Sequence, residues 1–343
     1  MPNFARGFSL VELMVALAIS LFLLLGITQI YLGSSATNRA QEGLSRVQEN
    51  ARFANSLLNR EMRMVGYTGC IEAPRDVEDQ TGSAPGGGDE SVNAVEDLLN
   101  GTGIEGHAAG GWDSPSGTVS VVNGTEAVTL RGGGNANVLY DGPQGNAQFD
   151  IRGPMGDITI RDAGFYDGER LIVSDCESAD IVEMVQSGNR NVGRVTISAQ
   201  QELRTELYEP GEATVLSENR RTYFIGTRGD PGDEDSDHGL YVYRDAQGEA
   251  QELVSDISDM RIDYGIDSDA SGRVNEYRSA DEVSAWEDVI SVRVGLLVRS
   301  DEVMDEVRQR DVDLLGRGSP VSFSDRRIRQ EVTATVSLRN RLP

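Results

Sequence analysis

GFSLVELMVALAISLFLLLG, residues 7–26, is the stretch on which the fold of this chain turns. About 20 apolar residues suffice to cross a bilayer as a helix, and this run meets that length while carrying one carboxylate, Glu12, five residues after its leading glycine. A lone carboxylate at the centre of a membrane helix costs about 2.5–3.5 kcal/mol on the insertion scale, and less near an end. Some compensating interaction is therefore expected. Outward from this run, the leader MPNFARG is short, carries Arg6 and ends in Gly7, and between Phe8 and Leu32 Glu12 is the only charge. A secretory signal places its small residues after the apolar run, the reverse of this order. The positive-inside rule keeps Arg6 on the cytoplasmic side and sends everything after residue 35 across.

Beyond the membrane the helical pattern continues. Leu44, Val47, Ala51, Ala54, Leu58, Met62 and Val65 recur at spacings of three and four, a stripe on one helical face, while Arg46, Glu49, Arg52, Asn59 and Arg60 fall elsewhere. No proline interrupts residues 8–66. A continuous helix from Phe8 to Met64 would be about 85 Å long at 1.5 Å per residue. Gly26, Gly33 and Gly43 are candidate bending points, and Gly66 a stop. The expected layout is a leader (1–7), a membrane segment (8–32), an amphipathic extension of the same helix (33–66) and an exported head (67–343).

The head reads as mainly β. TVSVVNGTEAVTLRG, residues 118–132, sets Asn123-Gly124 between two apolar-rich runs and predicts a hairpin. Further strands are predicted at 138–140, 157–161, 170–174, 180–185, 193–198, 203–208, 221–226, 239–244, 260–265, 288–298 and 331–339, a density that indicates a large antiparallel sheet system. Residues 82–117, rich in Gly, Ser, Pro and acids, read as a long surface loop.

The net charge of −25 is unevenly placed: residues 1–66 hold six Arg and four Glu, leaving 25 Arg against 52 Asp and Glu in the remainder. A head of net charge −27 repels a phosphate backbone, so no nucleic-acid partner is expected. Every basic residue is Arg, which suits a saline medium and equally follows from genomic base composition. Cys70 and Cys176 both lie in the exported part, where an oxidising compartment favours a bridge; two free buried thiols are the alternative. The bridge would close a loop of roughly 100 residues and add about 4–5 kcal/mol in the chain-entropy model.

Arg6-Gly7-Phe8-Ser9-Leu10-Val11-Glu12-Leu13 resembles the signal of type IV prepilins and type II secretion pseudopilins. The resemblance implies cleavage after Gly7 by a prepilin peptidase and N-methylation of Phe8. It also suggests the compensation that Glu12 requires, an ion pair in the assembly with the N-terminal ammonium of a neighbour's Phe8. An ordinary signal anchor, with Glu12 near the interface, would have to treat this spacing as accidental. Gly66-Tyr67-Thr68-Gly69-Cys70, Asp175-Cys176-Glu177, Tyr264-Gly265-Ile266-Asp267 and Leu338-Arg339-Asn340-Arg341 resemble the PilW family of type IV pilus minor pilins. That resemblance implies an α+β, pilin-like fold, a long N-terminal helix packed on a large, mainly antiparallel β head. It implies a single-pass inner-membrane protein with a periplasmic head, found at the pilus surface after assembly. The expected partners are other minor pilins, the major pilin, the prepilin peptidase and the inner-membrane assembly platform, with a role in priming assembly near the tip and in twitching motility and adhesion. The J-type pseudopilin of type II secretion and a tip adhesin are the competing readings.

No cofactor is expected, with one reservation. In DSDASGRVNEYR, residues 267–278, Asp267, Asp269 and Ser271 occupy positions one, three and five of a calcium loop and Gly272 position six, but Arg278 stands where a bidentate Glu belongs. A weak calcium site and an Asp/Gly turn between strands both fit, and DPGDEDSDHG, residues 230–239, is a similar acidic loop. The two histidines, His107 and His238, lie in Gly/Asp-rich contexts far in sequence from either cysteine, so enzymatic function is not expected.

Overall fold

In the computed structural model of the chain one helix, α1 (Leu10–Arg63), runs unbroken for 54 residues, about 80 Å. It passes through Gly26, Gly33 and Gly43 without interruption, so none of the three acts as a break. Met64 caps it, and Gly66 follows in the left-handed region (φ 69°), where a side chain would be strained. The structure describes residues 9–67, 76–79, 103–132, 137–141, 148–153, 165, 168–175, 178–191, 194–199, 208, 211–218, 220–245, 247–303, 311–323 and 325–339. The predicted strands 157–161 and 203–208 lie outside them, apart from Tyr208, which is not in a strand.

The mainly antiparallel β head expected from the sequence is built as three sheets. The first joins β5 (Asn137–Asp141), β6 (Gln148–Arg152), β9 (Arg194–Ala199), β8 (Ser178–Asn191), β7 (Arg170–Ser174) and β10 (Thr214–Ser217) in that order. Because β10 pairs with β5, the sheet closes into a six-stranded antiparallel barrel, with β1 (Asp76–Asp79) added parallel to β8. Leu139, Phe149, Ile151, Leu171, Val173, Val182, Met184, Ile197 and Val215 fill its interior. The second sheet runs β13 (Glu249–Ser255), β12 (His238–Arg244), β11 (Arg221–Thr227), β4 (Ala127–Leu130) and β2 (Ile104–His107), with β3 (Ser120–Val121) also on β11. The third runs β15 (Glu276–Arg278), β14 (Ile257–Ile266), β16 (Val289–Arg299) and β17 (Arg329–Ser337). Since β4 and β11 are hydrogen-bonded neighbours, the barrel is an insertion in the connection between two adjacent strands of the second sheet.

The predicted 118–132 hairpin is not formed. Instead β3 and β4 both pair antiparallel to β11, Val121 opposite Gly226 and Ala127 opposite Phe224, so they are two pieces of one broken strand. Residues 122–126 bulge out opposite Ile225, whose carbonyl accepts from Val122 N–H at 2.9 Å, and Asn123 N–H donates to Pro231 O at 3.0 Å. The excursion delivers Glu126 into the interior, 4% exposed, where its Oε2 accepts from Ile262 N–H at 2.8 Å and Arg317 binds its carboxylate. Arg317 also donates to Asp263 Oδ1 at 2.9 Å, which ties the turn around residues 314–318 to β14. A buried carboxylate with this many donors favours a turn that the Asn-Gly signal alone assigns to a hairpin.

Residues 103–117, read as part of a surface loop, contain β2, whose Ile104 is fully buried, and Trp112, whose ring lies 4.9 Å from that of Phe224. Only Gly fits at Gly106, since a Cβ there would come within 2.2 Å of the Tyr264 hydroxyl. The chain passes from the second sheet to the third through one residue, Asp256, at positive φ (62°).

The predicted helical stripe packs against both of these sheets. Val47, Ala51, Ala54, Leu58, Met62 and Val65 are buried with Tyr223, Ile225, Leu240, Ile262, Leu296 and Val336 in one core. Leu44, 42% exposed, is the exception, because it lies one turn below the point where the head begins to cover the helix. Met62→Ala should lower stability by about 2–5 kcal/mol, while Leu44→Ala should change it by no more than about 0.5 kcal/mol. Chemical denaturation of the detergent-solubilised full chain, followed by tryptophan fluorescence, reads both; equal effects would refute the packing described.

His238, buried at the start of β12, has Nε2 3.1 Å from Asp233 O. Burial and then the neighbouring Arg299 charge push its pKa down to about 4, with Arg327 adding to the effect and Asp233 opposing it. An unfolded histidine takes its proton near 6.5. The unfolded state therefore binds more protons between these values, and stability falls as pH drops through 6.5 towards 4, by about 2 kcal/mol at pH 5. In His238→Gln that loss should be absent, so the variant gains about 2 kcal/mol on its parent between pH 7 and pH 5. Parallel pH profiles of the melting temperature would contradict this.

Candidate assembly surface

The lower half of α1 has no protein around it: every residue from Ser9 to Ser34 is exposed. Its most apolar 18-residue window has a mean hydropathy of 2.6, long and apolar enough to cross a membrane. Leucine, isoleucine, valine and phenylalanine point in all directions around this segment rather than along one stripe, as a lipid-facing helix requires. Its few hydroxyls are turned back on the helix. Ser20 Oγ donates to Ala16 O and Thr28 Oγ1 to Leu24 O, both at 2.7 Å, so neither presents an unpaired donor to an apolar surrounding.

Glu12 sits in the first turn, and its Oε2 accepts from Ser9 N–H at 3.1 Å. The carboxylate thus covers an amide left open at its own helix N-terminus, where the helix dipole also favours negative charge. Part of the compensation that this glutamate needs is therefore within the chain. The Ser9-Leu10-Val11-Glu12 spacing is the sequence signal that would have identified it, a serine three residues ahead of a glutamate at a helix start. Gly7 and Phe8, the expected processing positions, lie outside the described residues.

Higher up, polar clamps hold the helix to the head. Asn50 Nδ2 donates to Ser255 O at 3.2 Å, and Glu61 takes Arg221 on Oε2 and Arg60 on Oε1. Tyr223 lies beside this pair, and burial, reinforced by the Glu61 charge, raises its pKa far above the ordinary value. Gly66 N–H donates to Arg131 O at 3.0 Å, which joins the turn after the helix to the strand end of β4.

The remaining sequence-predicted positions are elsewhere. Asp267, Asp269 and Ser271 are brought together in the turn between β14 and β15, where Asp267 accepts from Ser271 N–H (3.0 Å) and Gly272 N–H (2.7 Å), and Asp269 from Ser271 N–H (3.2 Å). Hydrogen bonding to Ser271 holds the Asp269 pKa below its ordinary value. The carboxylates thus serve the turn's own backbone, and among the described residues no three His, Cys, Asp or Glu are grouped to hold a metal. Cys70 and Cys176 lie outside the described residues. His107 and His238 lie apart: His107 Nε2 is 2.8 Å from Thr129 Oγ1, and burial lowers its pKa.

No curated protein and no solved structure matches the chain significantly. Two family descriptions do match: residues 3–28 the prokaryotic N-terminal methylation motif, and residues 222–340 the family "Type IV Pilus-assembly protein W". The first begins ahead of α1 and covers most of the bare helix. The second begins at β11 and runs through the third sheet, leaving the inserted barrel outside. With the exposed apolar segment, the methylation motif supports membrane anchoring through α1. Together the two matches support a type IV pilus pilin-like assembly subunit, its likeness to the PilW family resting on residues 222–340.

Proposed function

We propose that this chain is a minor pilin, cleaved after Gly7 and methylated at Phe8, whose head is periplasmic before assembly and which joins other minor pilins to prime the filament near its tip. The observation that carries this reading is the bare apolar half of α1, with Glu12 in its first turn, continuous with a half that is clamped into the head. Such a helix is satisfied by lipid and equally by neighbouring helices, so one subunit passes from bilayer to filament without refolding. Glu12 changes partner in that passage. In the bilayer it caps its own first turn; in the filament it pairs with the ammonium of a neighbour's Phe8.

Glu12→Val and the isosteric Glu12→Gln should both be inserted and processed normally, since removing a charge eases residence in lipid. Both should lose co-assembly by about tenfold or more, because a neighbour's ammonium is left unpaired in apolar surroundings. Immunoblotting for processing and pulldown of the other pilins measure the two steps. Normal co-assembly of both variants would remove the ion pair, and failed insertion of both would assign Glu12 to topology.

Cys70 and Cys176, both exported on this reading, form the head's disulfide. Non-reducing peptide mapping should recover the Cys70–Cys176 peptide pair, and Ser in place of either should cost up to about 4–5 kcal/mol of head stability. Alkylation of both thiols in the native exported protein would disprove the bridge.

A further inference from the structure

On a head of net charge −27, one exposed groove is basic. It lies where the last turns of α1 meet the segment after β17, has a volume of about 790 Å3, and is lined by Ser56, Asn59, Arg60, Arg63, Met64, Tyr67 and Arg339. Among the described residues neither Arg63 nor Arg339 has a carboxylate partner. Arg60 is 73% exposed and only shares Glu61, whose other oxygen is committed to Arg221. Large apolar side chains continue the surface on the side of α1 turned away from the sheets: Met64 is 42% and Phe53 52% exposed. A helix face carrying two bare apolar side chains beside three guanidinium groups is built for contact with something apolar in part and negatively charged.

We infer that this groove docks a carboxylate-rich segment of a neighbouring pilus subunit. The inference rests on the assembly reading above and adds the place and chemistry of one head contact. Guanidinium groups pair carboxylates through two parallel hydrogen bonds, and Met64, Phe53 and the Tyr67 ring supply apolar area beside them. A polypeptide is favoured over a nucleic acid by reach. Charges at the surface act over about 8 Å at physiological salt, so a short acidic segment feels the local arginines, whereas a phosphate backbone running past the groove meets the acidic remainder of the head.

The test uses the full chain in cells that assemble the pilus, with Ser56→p-benzoylphenylalanine as a photo-crosslinker and mass spectrometry of the captured peptide. The expected product is an acidic segment of another pilin. Arg60→Glu, Arg63→Glu and Arg339→Glu together should reduce capture about tenfold, the sum of three modest ion pairs, and the corresponding triple Lys variant should retain most of it. Capture in membranes from the unsubstituted arginine protein should also fall at high salt, which reads the same charge dependence if the Glu variant fails to fold. A captured lipid, nucleic acid, non-acidic peptide or second copy of this chain overturns the inference, as does absent capture or capture indifferent to both charge reversal and salt. Co-purification with other pilins separates the two levels: if it persists while capture fails, the groove is refuted and assembly stands; if it is absent, the assembly reading itself fails.

Discussion

The burial of one helical face against two sheets is the contact on which the rest of this molecule depends. Val47, Ala51, Ala54, Leu58 and Met62 contribute it from the helix and Val65 from the turn that follows, with alanines at its centre that let the backbone approach the strands closely. Isolated helices draw little stability from propensity alone, so this packing is what holds the upper half of α1 in place. It also sets the level at which protection stops: below Val47 the helix is mostly exposed along its length. One continuous helix thus joins the apolar segment to the head.

Charge is used differently at the two ends of that element. Near the membrane a single carboxylate is held by the first-turn amide of Ser9, an arrangement that leaves it accessible to another partner. In the head, carboxylates and guanidinium groups form seams between elements: Glu61 with Arg221 between helix and β11, Glu126 with Arg317, and Arg317 with Asp263. These are buried or half-buried contacts, where loss of one member leaves the other uncompensated. They fix how the turn around residues 314–318 and the 122–126 bulge sit against β14. In the basic groove at the top of α1, Arg63 and Arg339 are not consumed in such seams.

The barrel between β4 and β11 follows a different principle. Its core of Leu139, Phe149, Ile151, Leu171, Val182 and Ile197 is its own, and the chain enters and leaves it between two strands that remain paired. An insertion of that kind leaves the host sheet's hydrogen bonds intact, so it can be carried without altering the helix-binding core.

Elements whose pattern is local can be read from the order of the amino acids. The apolar run, Glu12, the three-and-four stripe and the stop at Gly66 all follow from composition and spacing, as do β7, β11, β12, β14 and β16, where apolar runs exceed the background of loops. The matches to the methylation motif and to the PilW family agree with those readings. Polar strands such as β13, at the edge of its sheet, and β2, inside a Gly-rich stretch, left no such pattern because their pairing is specified by neighbours distant in sequence. That Asn123-Gly124 interrupts a strand rather than turning a hairpin emerges in the folded chain alone. The choice depends on Glu126 finding Ile262 N–H and Arg317, 136 and 191 residues away. The fold likewise decided that the β segments close into a barrel and two open sheets, and that Arg60, Arg63 and Arg339 converge on one groove. Each of these outcomes is a long-range contact, and no local spacing encodes it.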